Sequence, residues 1–205
     1  MRRPRLARPA AVRGLRRQAA ITLAVRQARR LRRSGPTATY VCWDLDNTLV
    51  SSGENLALGM RLEEAIVEAR PVPNMLAFYG AMQKHVDDAR HFILSARTRS
   101  MRRATIAWLR RNGIRPARGA VCFVPTVDAK PLIWDVLGRS GRLVIIDDLS
   151  YDHESGRPSV HGHLVEIASR TACRYVGFEE IHEIATNPDA IGVIVAETLA
   201  ALDRC

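Results

Sequence analysis

Short apolar runs alternate with longer stretches in which apolar residues recur at helical spacing, and the alternation sets in near residue 39. Val41, Cys42 and Trp43 lie in a run over 40–45 that reads as a buried strand, because β-branched and aromatic residues suit a pleated core position. Residues 55–69 set Leu58, Leu62, Ala65, Ile66 and Ala69 on one helical face, and 74–88 follow as another helix behind Pro71 and Pro73. "HFILS" (91–95) is a second strand, and the helix after it is closed by Asn112 and Gly113. A strand over 120–124, a helix capped by Asp128 with Pro131 in its first turn, and a strand over 142–148 come next. "HLVEIAS" (163–169) reads as a fifth strand and "RYVGF" (174–178) as a further one. Asn187-Pro188 then starts a last helix with Ile191, Ile194, Val195, Thr198, Leu199 and Leu202 inward. Strands separated by helical segments of this length predict an α/β domain whose mainly parallel sheet is covered on both faces.

Charge divides the chain in two. Residues 1–33 hold twelve arginines and no acid, against a net charge of +10 for all 205 residues, so the remainder sums to −2. Residues 1–36 therefore read as a basic arm ending at Ser34-Gly35-Pro36, and 37–205 as the folded domain. A helix over 15–33 would place Leu15, Ala19, Leu23 and Ile21 or Val25 on one side. Three readings of the arm stay open: a solvated tail, an arm for nucleic acid or another anionic surface, and a targeting segment. No run approaches the roughly 18 to 20 apolar residues of a membrane span. Cys42, Cys122, Cys173 and Cys205 form no CxxC pair, which argues against a zinc site or a disulfide framework and predicts a reducing, cytoplasmic setting. The sequence contains neither GxxxxGK[ST] nor GxGxxG, so nucleotide-binding loops of those kinds are absent.

The chemistry collects where the strands end. The first closes on Asp44 and Asp46, the second on Ser95 and the fourth on Asp147 and Asp148, while Lys130 opens the helix between the third and fourth. Parallel sheets bind ligands at the carboxyl ends of their strands, near the switch in strand order. Carboxylates brought this close repel, and they call for a cation, a shared proton or a catalytic task. Arginine outnumbers lysine 29 to 2, so Lys130 is an exception in a chain that otherwise supplies positive charge with arginine.

"DLDNTLV", "FILSAR", Lys130 and "VIIDD" resemble, in order, the four motifs of the haloacid dehalogenase-like (HAD) superfamily. The resemblance covers about residues 39–150. It implies a Rossmann-like three-layer α/β/α sandwich and a Mg²⁺-dependent phosphatase that works through an aspartyl-phosphate. In that scheme Asp44 is the nucleophile and Asp46 the acid and base. Ser95 and Lys130 hold the phosphoryl oxygens, and Asp147, with Asp148, binds Mg²⁺ together with Asp44 and the backbone carbonyl of Asp46. An acid at position 46 resembles the phosphatases and phosphomutases of the superfamily, and Asp152 is a candidate outer ligand. The intervals between motifs leave no room for a large cap domain, which implies a bulky substrate. The stretch 91–114 is similar to the phosphatase half of polynucleotide kinase-phosphatases, with Arg97 and Arg99 as contacts to substrate phosphates and the arm adding affinity for nucleic acid. The alternatives are a protein or small-metabolite phosphatase of the same superfamily, and a non-catalytic nucleic-acid-binding protein that works through its arm.

Overall fold

The computed structural model describes residues 10–32, 38–51, 62–86, 88–139, 141–151 and 158–205. Among these, helices α1 (Ala10–Arg32), α2 (Leu62–Glu68), α3 (Met75–His85), α4 (Arg102–Arg111), α5 (Lys130–Gly138), α6 (Gly162–Thr171), α7 (Phe178–Thr186) and α8 (Ala190–Asp203) surround one main sheet. That sheet contains β1 (Ala38–Trp43), β4 (Arg90–Ser95), β5 (Val121–Phe123), β6 (Gly141–Ile146) and β9 (Arg174–Val176), all parallel, in the order β5-β4-β1-β6-β9. Two small antiparallel pairs, β2 (Val50–Ser51) with β3 (Arg70–Pro71) and β7 (Ser150–Tyr151) with β8 (Ser159–Val160), stand beside it.

Successive strand residues face opposite sides of the sheet, so β1 feeds two cores. Val41 and Trp43 join Phe78, Trp108, Ile184 and Val195 on the side of α3, α4, α7 and α8. Tyr40 and Cys42 join Ile133, Trp134, Leu164 and Ala168 on the side of α5 and α6. The result is a three-layer α/β/α arrangement compatible with a Rossmann-like fold. From β1 the chain moves outward through β4 to β5, then returns past β1 to β6 and β9. The switch in strand order therefore lies between β1 and β6.

The basic arm enters this architecture. Ala24 and Ala28 of α1 are buried, and Ile21, Val25 and Leu31 pack against the same core. The expected apolar side is thus corrected: Leu15 is 73% exposed and Leu23 39%. Two alanines let the helix come close to the sheet, and their small side chains carry a weaker hydropathy signal than the leucines do. Gln27 donates its amide to the carbonyls of Gly119 and Val121, and Arg90 donates to the carbonyl of Leu31. β5 is an edge strand, and Gln27 occupies carbonyls that would otherwise offer themselves to another chain. The expected linker, Ser34-Gly35-Pro36, lies outside the described residues.

Other expectations are corrected too. "HLVEIAS" is not a strand but the body of α6, because Leu164 and Ala168, four apart, are its buried residues. The run 178–186 is a helix, α7, that the sequence reading did not assign. Asp128 does not cap α5; it sits in a 3-10 turn and its carboxylate lies 3.5 Å from His163 Nε2. Leu58 and residues 52–61 lie outside the described residues. Cys173 and Cys205 form a disulfide, which corrects the expectation of a chain without a disulfide framework. They are 32 residues apart in sequence, and only the return of α8 along β9 brings them together. No helix among the described residues is long and apolar enough to cross a membrane.

Cys42 and Cys122 remain free and buried. Titration of the denatured protein without reductant should therefore find two thiols, rising to four after reduction. Four thiols before reduction would mean that the Cys173–Cys205 pair does not form.

Candidate active site

β1 and β6 run in register, with Trp43 opposite Ile146, so the next residues, Asp44 and Asp147, emerge side by side at the switch point. Both strands stop one residue before their aspartates, earlier than the sequence pattern suggests. The ladder extends one bond further, through Asp44 N–H to the Ile146 carbonyl at 2.9 Å, and Asp147 N–H reaches the Val176 carbonyl at 3.1 Å. The backbone of both carboxylates is therefore fixed by the sheet.

Lys130, the first residue of α5, inserts its ammonium between them, 2.8 Å from Asp44 Oδ1 and 2.7 Å from Asp147 Oδ2. All three side chains are buried. Asp147 Oδ1 also accepts the Leu149 N–H, and the Tyr175 hydroxyl donates to the Asp147 carbonyl. Asp148 is buried beside them. Its Oδ1 accepts from the Thr48 hydroxyl at 2.9 Å, Thr48 Oγ1 accepts the Asp148 N–H at 3.1 Å, and Ser150 donates to Oδ2 through both its N–H and its hydroxyl. Thr48 and Ser150 thus orient Asp148, a role the sequence reading gave to neither. The spacing of Thr48, four residues after Asp44 and inside a turn, was the available signal.

Asp44, Asp147 and Asp148 each bring a carboxylate oxygen within 4.8 Å of the others. Burial pushes the Asp44 carboxyl up to about 7, with Lys130 opposing and Asp147 and Asp46 adding to the rise. Burial likewise raises Asp148 to about 6, helped by Asp44, and raises Asp147 against the pull of Lys130. Burial works against the Lys130 ammonium, yet Asp147 and Asp44 together hold its proton above the ordinary lysine value. Three buried carboxylates facing one lysine leave negative charge uncompensated, and a hard divalent cation with oxygen ligands fits that donor set.

Asp46 stands apart from the trio. Its half-buried carboxylate is gripped by the Arg97 guanidinium, with Nε 2.9 Å from Oδ2 and Nη2 2.7 Å from Oδ1. Arg97 is itself buried and also donates to the Thr105 hydroxyl. The expectation that Arg97 faces substrate is thus met by a different arrangement, in which it holds the neighbouring acid. Ser95, fully buried at the end of β4, accepts the Arg97 N–H on its hydroxyl. Arg99 is exposed in the 3-10 turn that precedes α4. Asp152 lies outside the described residues. A cavity of about 230 Å³, lined by Asn47, Asp148, Phe178 and His182 among others, opens beside the trio.

The raised Asp44 value carries a sign. A carboxyl whose proton is held more tightly in the folded state than in the unfolded one destabilises the fold as pH climbs from about 4 through about 7. Asp44→Asn removes that charge and leaves Lys130 paired with Asp147. Without divalent cation the variant should melt higher than the parent at pH 8, on the order of 5 °C. The difference should shrink steadily on acidification and close only below about pH 4, where Asp44 is protonated in both the folded and the unfolded state. Differential scanning calorimetry across that range checks it; a gap that widens on acidification would refute the assignment.

No family model, curated protein or solved structure matches this chain. What the site can do is set by its own geometry.

Proposed function

We propose that the chain is a Mg²⁺-dependent phosphomonoester hydrolase of the HAD type, acting through an aspartyl-phosphate on a bulky substrate such as a nucleic-acid 3′-phosphate end. The observation that carries this reading is Lys130 Nζ set between Asp44 and Asp147 at the switch point of a parallel sheet, with Asp148 close by. An ammonium in that position serves both carboxylates now and phosphoryl oxygens when substrate arrives.

Asp44, Asp147 and Asp148 would hold the cation, with the Asp46 carbonyl as a further ligand from the resemblance. Once bound, it would neutralise the carboxylates and polarise the phosphoryl group. Asp44 attacks phosphorus, forming an O–P bond as the bond to the ester oxygen breaks. Asp46, having taken a proton from solvent once Arg97 releases it, gives that proton to the departing alkoxide. In the second half Asp46 takes a proton from water, whose oxygen attacks phosphorus, and Asp44 leaves as a carboxylate. Ser95 and Lys130 orient the phosphoryl oxygens. Arg97 occupies Asp46 in the resting arrangement. A phosphate ester competing for the guanidinium would free Asp46 for proton transfer, which ties arrival of substrate to release of the acid.

Hydrolysis of p-nitrophenyl phosphate with Mg²⁺, abolished by chelator, tests the reading. Asp44→Asn should remove turnover, and activity within tenfold of the parent would exclude the covalent route. Asp46→Asn should lower turnover of an alkyl phosphate by roughly 10² to 10⁴, and of p-nitrophenyl phosphate by less, because that leaving group needs little protonation. Equal losses on the two substrates would sink Asp46 as the acid. Asp147→Ala should raise the Mg²⁺ concentration required far more than Asp152→Ala does, and the reverse order would reassign the ligand.

A further inference from the structure

Two cavities, of about 720 and 610 Å³, lie along the outer edge of β5 rather than over the carboxylates. They share Arg102, Arg118 and Gly119 as walls and so form one trench. The first is completed by Arg26 and Arg30 of α1 and by Arg99; the second by Arg110 and Arg115. Seven arginines therefore line it, with no Asp or Glu among its walls. Among the described residues, Arg26, Arg30, Arg99, Arg115 and Arg118 pair with no carboxylate, whereas Arg102 is held by the Val121 carbonyl. Like charges gathered this densely are normally separated or neutralised by acids. Here they converge from α1, from the turn before α4, from α4 and from the loop before β5.

The size and lining of the trench select its ligand. Seven guanidinium groups line two adjoining cavities of about 720 and 610 Å³. That exceeds any single phosphate group and suits a chain of them. The trench lies one strand from the site: Phe123, on its wall, is registered opposite Ser95, and neighbouring strands lie about 4.8 Å apart. Arg99 follows two residues after Arg97, which holds Asp46. A guanidinium fork matches phosphate oxygens in pairs, and it cannot lose its proton to accommodate burial.

We infer that this trench is a binding track for the backbone phosphates of a nucleic-acid strand, built by docking α1 against β5. Its direction, with the strand's phosphorylated end at Ser95, rests on the phosphatase reading; its existence does not. Helix α1 therefore binds as a fixed wall of the domain.

The test uses the full chain and a fluorescent 20-nucleotide oligothymidylate, with binding followed by anisotropy across a salt series. The triple variant Arg30→Ala, Arg115→Ala, Arg118→Ala should raise Kd at least tenfold and flatten the slope of log affinity against log salt by about 2, at roughly 0.7 per lost contact. A control triple, Arg70→Ala, Arg139→Ala, Arg204→Ala, removes the same charge elsewhere and should change Kd less than threefold. Equal losses in the two triples, unchanged binding in the trench triple, or equally tight binding of polyglutamate would each overturn the inference. Turnover of p-nitrophenyl phosphate by the parent is measured in parallel. If the parent hydrolyses nothing while the trench triple still loses the oligonucleotide, the hydrolase reading fails and the track stands.

Discussion

Lys130 Nζ lies within 2.8 Å of Asp44 and 2.7 Å of Asp147, and the surroundings of all three groups keep that contact in the interior. Two carboxylates at this depth could not both stay ionised beside each other in an apolar core. The ammonium makes their proximity tolerable, and the sheet makes it unavoidable, because β1 and β6 share a register that leaves Asp44 and Asp147 abreast. Asp148 is then the surplus charge. Thr48 and Ser150 satisfy its oxygens without neutralising it. The site is polarised toward a cation by one carboxylate too many.

A second pairing, Arg97 with Asp46, divides the two aspartates that the sequence places side by side. Asp44 is fixed in the buried cluster, and Asp46 is drawn the other way by a guanidinium that Thr105 also accepts from. Their different surroundings suit different tasks. One is desolvated and paired with a buried ammonium, and the other is half-exposed and held by a guanidinium.

Much of this was legible because parallel sheets deliver polar residues where their strands end. Asp44, Ser95, Asp147 and Asp148 all fall there, and short apolar runs made those ends visible. What was hidden depended on contacts between distant segments. Val165 and Ile167 looked like a strand because β-branched residues favour one, yet Leu164 and Ala168 at helical spacing are what the core receives. Ala24 and Ala28 bury a helix that its charge seemed to keep in solvent, since small residues contribute closeness rather than hydropathy. The Arg97–Asp46 grip spans 51 residues and the Cys173–Cys205 bond 32, distances over which no local pattern speaks.

The main sheet has two outer strands, and each is fastened by a segment from an opposite end of the sequence. At β5 the fastening is α1, which carries mutually repelling guanidinium groups and is attached by alanine contacts and the amide of Gln27. At β9 it is the covalent link from Cys173, directly before the strand, to Cys205, just past α8. The first hem answers to ionic strength and to whatever anions are near; the second answers to thiols. One sheet is thus exposed to two unrelated features of its solution, each acting on a different margin.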